Sequence, residues 1–206
     1  MTTGRYRIEM PPSDSGYIDR VILTEYPHPV ASAWHRVQAA RGDEERIVAT
    51  HACVEILLRT MAAYLLTDYL RGPADERADD ILHEFGRPAL GDWRDLVLAL
   101  ARAIRQRASP RPFIPEGVEW LVGDDDGAGA DAILELIQLR NRHVHGPRLL
   151  SGDKTEAARA RIMRLRGLLY SARWLAGYRL ARVVEQTPAR DRSVSGSVCL
   201  LVGHAD

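Results

Sequence analysis

The sequence predicts an all-α protein, a bundle of about five helices. Hydrophobic residues recur at helical spacing along several long segments, and glycines and prolines separate these segments. Hydrophobic residues make up 46% of the 206 residues, an ordinary fraction for a globular domain with its own core. A short apolar run near the C-terminus departs from this pattern and leaves room for a short β appendage built from the chain ends.

The predicted helices follow from this periodicity. The longest apolar stripe, from Ile47 through Leu58 to Leu65, indicates a helix that begins beside the acidic residues 43–45. The main helices are predicted over residues 30–40, 43–70, 92–107, 132–145 and 151–186, with a short helix over residues 75–85. Together they form one helical domain, residues 29–187.

The remaining segments lack helical periodicity. Residues 1–28 are predicted to be an N-terminal arm in which residues 18–23 are extended, and residues 109–129 a loop rich in proline and glycine. The three aspartates at 124–126 favour a solvated loop over a metal site, because no ligand spacing matches a known metal-binding loop. Residues 188–206 are predicted to be a linker with a strand-like tail, which either pairs near the N-terminus or begins a further domain.

Charge and cysteine content give no sign of a special partner or compartment. The 28 basic residues balance 28 acidic ones, so any surface that binds RNA must be local. Cys53 and Cys199 are the only cysteines, which implies neither a disulfide framework nor a cysteine-based zinc site. No signal core is present, and no apolar run is long enough to span a bilayer, so we expect a cytoplasmic protein without a membrane partner.

One predicted helix changes character along its length. Residues 132–139 are mostly apolar, whereas residues 140–145 read Arg-Asn-Arg-His-Val-His and precede Gly146 and Pro147. A glycine followed by a proline is typical of a helix end. A buried helix therefore carries guanidinium and imidazole groups to its C-terminal turn, where the partial negative charge favours protonated histidine.

This segment resembles the signature of the HEPN superfamily, a group of small helical domains. Its pattern is an arginine, four to six further residues and then a histidine, and Arg140 and His145 have this spacing. Asn141 fills the polar position after the arginine, and Leu139 and Gly146 also look like those of family members. The resemblance implies a metal-independent ribonuclease without a cofactor, with a site shared across a homodimer. Many family members have lost catalysis and serve as binding or assembly modules.

The residue types suit RNA cleavage. The 2′-hydroxyl of RNA is the nucleophile, a histidine can move protons near neutral pH, and a guanidinium binds phosphate oxygens. Arg140 and His145 nevertheless lie roughly 140° apart around a regular helix. They converge only if the helix distorts or if two subunits contribute to one site. His143, three residues after Arg140, is the substitute base.

Other residues are candidates for supporting roles. Glu55 either pairs with Arg59 one turn along its helix or faces Arg140 and orients it. A local basic patch at the end of the predicted helix 92–107 is either a solvated helix end or an RNA contact, and it comprises Arg102, Arg105 and Arg107 with Arg111 just beyond. The candidate RNA-binding residues are Arg102, Arg105 and Arg107 from this patch and Arg142 from the motif.

Two main functional hypotheses follow from these observations. The first is a dimeric, metal-independent endoribonuclease of toxin or phage-defence type, in which Arg140 holds the phosphate, His145 is the acid or base and Asn141 orients them. The alternative is a catalytically silent assembly or sensing module, joined to a partner or fused effector domain. A third hypothesis is an RNA-binding module that uses its arginines without cleaving.

Overall fold

The computed structural model describes residues 15–123, 127–145, 151–188 and 194–203. Within these ranges the chain is mostly helical, and the expected all-α bundle is confirmed, with eight α-helices rather than about five. The helices are α1 (Ser15–Glu25), α2 (His28–Ala39), α3 (Asp43–Tyr69), α4 (Glu76–His83), α5 (Leu90–Gln106), α6 (Pro115–Val122), α7 (Ala128–His145) and α8 (Ser151–Ser171). A 3-10 helix (Arg173–Gly177) and two strands, β1 (Leu180–Pro188) and β2 (Val194–Leu201), follow them.

Helix α3 is the centre of the bundle. It packs against α2, α5, α7 and α8, and its apolar stripe is almost completely buried. By length and composition α3 is also apolar enough to cross a membrane, contrary to the expectation that no run is long enough. The most apolar stretch of α3 is 56% buried inside the protein, as in the core helix of a bundle.

The segment predicted to be extended, residues 18–23, instead belongs to α1. Ile18 and Ile22 are both buried, at 3% and 1% exposure, and their spacing of four residues puts them on one helical face. After the helix, the hydroxyl of Tyr26 donates a hydrogen bond of 2.6 Å to the carbonyl of Leu169 in α8. The prediction failed because the apolar run is too short to distinguish a helix from a strand.

The predicted loop over residues 109–129 contains α6. Pro115 occupies its first turn, Glu116 supplies an acidic group there, and Val118 and Leu121 face the core. Gly117 allows Trp174 to lie against this helix, because an added Cβ would come within 2.7 Å of the Trp174 ring. The expected solvated loop at residues 124–126 lies outside the described residues.

The expected longest helix, residues 151–186, was also wrong at its C-terminal end. Helix α8 stops at Ser171, and β1 pairs with β2 in antiparallel register, from Leu180 opposite Leu201 to Pro188 opposite Val194. The C-terminal strand therefore pairs with residues predicted to be helical, and β1 extends across the predicted boundary between residues 187 and 188.

The end of the hairpin returns to the start of the bundle. Pro27 and Val202 form an isolated β-bridge, and the Gly203 amide donates to the Tyr26 carbonyl at 2.8 Å. The Nδ1 atom of His28 donates to the Gly203 carbonyl at 2.7 Å. Gly203 has a φ of +68°, a conformation that favours glycine. These contacts join the segment between α1 and α2 to the end of the hairpin.

Candidate functional site

The motif residues lie where α7 ends beside α3 and α8. The buried side chains of Ile133, Leu136 and Ile137 fix α7 in the bundle, and the polar residues follow one turn later. Helices α3 and α8 both pack against α7. We call the resulting group of side chains the α7 end cluster, which comprises Glu44 and His51 from α3, Arg140, Asn141, Arg142, His143 and His145 from α7, and Lys154 and Arg161 from α8.

Arg140 and Asn141 are adjacent in space as well as in sequence. The Nη1 atom of Arg140 donates to Oδ1 of Asn141 at 3.2 Å. Arg140 is half-buried and Asn141 is exposed. The hydrogen bond limits the orientations of a guanidinium that remains partly open to solvent, so its other donors can meet an anion.

His143 is held by a carboxylate from another helix. Its Nε2 atom lies 3.0 Å from Oε1 of Glu44, and the second oxygen of Glu44 lies 3.2 Å from Nζ of Lys154. Two hydrogen bonds lower the pKa of Glu44 below its ordinary value, and the one from Lys154 has a larger effect than the one from His143. The Glu44 carboxylate therefore links α3, α7 and α8, while the His143 side chain keeps 17% of its surface exposed.

His51 is a second imidazole in the cluster, and its ring centroid lies 5.9 Å from that of His143. Burial, followed by the neighbouring charges of Arg161, His143 and Arg140, lowers the pKa of His51 to about 4. Its Nε2 atom is buried without a hydrogen-bond partner in the described part of the chain. The position of His51 two turns after Glu44 places both residues on one face of α3.

Arg161 contributes a buried cation. It is 4% exposed, and its Nη1 and Nη2 atoms donate to the carbonyls of Ala157 at 3.0 Å and Leu139 at 3.2 Å. Its Nε atom has no partner among the residues described. Burial lowers the pKa of Arg161, and so do the nearby charges of Arg142 and Arg164. Positive charge is therefore concentrated at this end of the bundle.

The structure does not bring Arg140 and His145 together within one chain. Helix α7 is regular through His145, so the two side chains point roughly 140° apart. His145 is exposed. The expected distortion near Gly146 lies outside the described residues. The other expected route, the contribution of a second subunit, is compatible with the regular helix.

Glu55 forms the pair that its spacing suggests. Its carboxylate lies 2.6 Å from Nη2 of Arg59, one turn along α3. The guanidinium of Arg59 in turn lies 5.3 Å from the centre of the Trp93 ring. The described contacts of Glu55 therefore give no support to its expected role in orienting Arg140.

The predicted basic patch does not form one surface. The Arg107 side chain is 3% exposed and is bonded to Asp68, which removes it from any contact with RNA. Arg105 donates to the carbonyl of Val122, and Arg102 lines a groove between α4 and α5 beside Glu84 and Asp95. Arg142, in contrast, is exposed at the α7 end cluster.

Neither metal ligation nor similarity to known proteins assigns a function to the α7 end cluster. Across residues 15–123, 127–145, 151–188 and 194–203, no group of three or more histidine, cysteine or acidic side chains could hold a metal ion. Comparison with protein-family models, curated proteins and solved structures gives no match to this chain.

Proposed function

We propose that this protein is a metal-independent endoribonuclease that acts as a homodimer, as the HEPN-like motif implies. The observation that carries the proposal is the excess of positive charge at the α7 end cluster. The charge of Arg142 lowers the pKa of Arg161, and the charges of Arg161 and Arg140 lower the pKa of His51, so these three arginines lie near one end of the bundle. Lys154 is bonded to Glu44, the cluster's single carboxylate. Such a surface is suited to a polyanion such as the phosphate backbone of RNA.

Two of the carboxylates near the cluster are paired with arginines outside it. Asp43 lies 3.4 Å from Arg46 and accepts a hydrogen bond of 2.6 Å from the Thr155 hydroxyl. Glu135 forms an ion pair with Arg164. Each of these acids is thus matched by an arginine outside the defined cluster, and the cations within the cluster remain in excess.

The proposed chemistry uses groups that the chain itself carries. Arg140 binds the non-bridging oxygens of the scissile phosphate, and Asn141 holds the guanidinium in position. The 2′-hydroxyl of the RNA attacks phosphorus, and imidazoles move the protons, with His145 as acid or base. The toxin or phage-defence context and the cytoplasmic location stay predictions, the former from family resemblance alone.

The test is cleavage of RNA in excess EDTA by the wild type and by the variants Arg140→Ala and His145→Ala. We expect the wild type to leave 2′,3′-cyclic phosphate ends, and each variant to be slower by roughly 10²–10⁴-fold. Arg87→Ala and His83→Ala, at exposed positions outside the cluster, are matched controls that keep full activity. Equal cleavage by Arg140→Ala and the wild type would contradict the proposal.

One observation favours the alternative of a catalytically silent assembly or sensing module. Both oxygens of Glu44 are bonded, one to His143 and one to Lys154, as in a polar network that only joins helices. A silent module would show no cleavage, yet Glu44→Gln would weaken the packing of α7. RNA binding that depends on salt but survives Arg140→Ala, again without cleavage, would indicate a binding module instead.

A further inference from the structure

We propose that His143, rather than His145, is the base that works with Arg140 of the same chain, and that Glu44 is its positioning residue. His145 then serves the site of the second subunit. This inference rests on the proposed ribonuclease function and specifies how its groups are divided between two chains. It follows from the helical geometry of α7 and from one contact between α3 and α7.

The geometry of α7 separates the two histidines. A residue three positions along a regular helix lies about 60° from the first, whereas a residue five positions along lies about 140° from it. Because α7 is regular through His145, Arg140 shares a face with His143 and not with His145. The ring of His51, on α3, lies beside His143 and shows that this face is the one turned toward the bundle.

Glu44 gives His143 the arrangement expected of a catalytic base. When Nε2 of His143 donates to Oε1 of Glu44, the neutral ring keeps Nδ1 as its proton acceptor. The carboxylate also stabilises the imidazolium that forms once the proton has been taken. The contact of Lys154 with the other carboxylate oxygen keeps Glu44 ionised and in place.

The proposed step needs only the RNA, Arg140 and two imidazoles. Nδ1 of His143 takes the proton of the 2′-hydroxyl, and O2′ forms a bond to phosphorus while Arg140 binds the non-bridging oxygens. The bond between phosphorus and O5′ breaks, and O5′ takes a proton from His145 of the partner subunit. The products are a 2′,3′-cyclic phosphate and a 5′-hydroxyl, and the proton held by His143 returns to solvent.

Mixing variants tests which residues act in one chain. We expect Arg140→Ala mixed with His145→Ala to recover about a quarter of wild-type activity, because half of the dimers are mixed and each restores one of two sites. Arg140→Ala mixed with His143→Ala should recover nothing, because neither chain keeps both residues. Recovery in the second mixture would overturn the proposal, since His143 would then act from the opposite subunit.

Two measurements separate chemistry from a merely structural role. We expect His143→Ala to regain part of its activity when imidazole is added, because a free base can occupy the vacated space. Glu44→Gln should lower kcat at unchanged KM, with Glu84→Gln, at an exposed site just after the end of α4, as its matched control. If His143→Ala and the second variant His143→Gln both fold and both cleave as the wild type does, the assignment is wrong.

A binding measurement distinguishes failure of this inference from failure of the ribonuclease proposal. Inorganic phosphate, titrated into the wild type, should shift the imidazole NMR signals of His143 more than those of His145. In Arg140→Ala this response should be lost. If phosphate shifts the His143 signals only when Arg140 is present, and the protein does not cleave RNA, the pairing of Arg140 with His143 is kept and the ribonuclease proposal is overturned. If the wild type cleaves RNA but phosphate does not shift the His143 signals, the ribonuclease proposal is kept and the assignment of His143 is overturned.

Discussion

Two groups of arginines at different places in this bundle look alike in the sequence and differ in the structure. At the end of α5, Arg107 is buried against Asp68, with Nη2 2.5 Å from Oδ1 and Nη1 2.8 Å from the Asp68 carbonyl. Its Nε atom donates to the Pro110 carbonyl at 2.8 Å. At the α7 end cluster, Arg140 bonds to Asn141 through Nη1, and the buried Nε atom of Arg161 has no partner within the described part of the chain.

The difference shows how pairing decides what an arginine does. The hydrogen bonds of the Arg107 guanidinium are all donated to oxygen atoms of the protein itself. The second carboxylate oxygen of Asp68 accepts a hydrogen bond of 2.6 Å from the Phe113 amide. Such a group holds helices and loops together and has little left for a ligand. Around Arg140 the charges are mostly of one sign and partly exposed, which raises the electrostatic cost in the free protein and favours an anion.

The largest expected effect is the loss of Arg107. Arg107→Ala should lower the free energy of unfolding by about 3–5 kcal/mol, because it leaves the fully buried carboxylate of Asp68 without its closest cation. Urea denaturation followed by circular dichroism measures this change. Arg111→Ala, on the exposed part of the same segment, is the matched control and should change stability by less than about 0.5 kcal/mol.

Urea denaturation of Arg140→Ala compares the α7 end cluster directly with the group around Arg107. Arg140→Ala should fold with nearly wild-type stability, since its side chain is only partly buried and bonds to an exposed neighbour. If Arg140→Ala were as destabilising as Arg107→Ala, the two groups would not differ in the way described, and the cluster would be a structural one.

An intermediate effect is expected from His51 as the pH falls. The pKa of His51 is lowered from 6.5 to about 4 by burial and then by the charges of Arg161, His143 and Arg140. Between these two values the unfolded chain binds a proton at His51 and the folded chain does not, so stability decreases as the pH is lowered through this window. We expect His51 to account for a loss of about 1–2 kcal/mol, reduced by solvent screening at the partly exposed ring.

His51→Gln isolates this contribution from other titrating groups. Free energies of unfolding measured at about pH 7 and about pH 5 should fall more steeply for the wild type than for the variant. His83→Gln, at an exposed position on α4, should follow the wild type. Parallel pH dependence in the wild type and in His51→Gln would show that the ring is not held neutral among these cations.

Helices with a clear apolar stripe were predicted from the sequence, because this pattern is local to each helix. The apolar stripe of α3 and the acidic residues at its start predicted that helix almost to its ends. The hairpin was missed because β1 follows a helical pattern without an obvious break, and its pairing with β2 is a contact between distant parts of the chain. Helix α6 had a proline at its start and an acid beside it, signals that the prolines and glycines around it obscured.

The candidate site was predictable only on α7. Arg140, Asn141 and His143 lie within one turn, so their proximity follows from helix geometry. Glu44, His51 and Arg161 reach the same place from other helices, and the packing of three helices is not encoded in any short motif. The spacing of Glu44 and His51 on one face of α3 was the available signal, but it does not show which helix that face meets.

The smallest expected effect concerns Glu55, which tests whether the α7 end cluster extends further along α3. Its pair with Arg59 is partly exposed, so Glu55→Gln should lower the free energy of unfolding by only a few tenths of a kcal/mol, measured by urea denaturation. Cleavage of RNA in EDTA should be unchanged, because the described bond of Glu55 is to Arg59 and not to Arg140. A loss of cleavage comparable to that of Glu44→Gln would instead place Glu55 among the groups that orient Arg140.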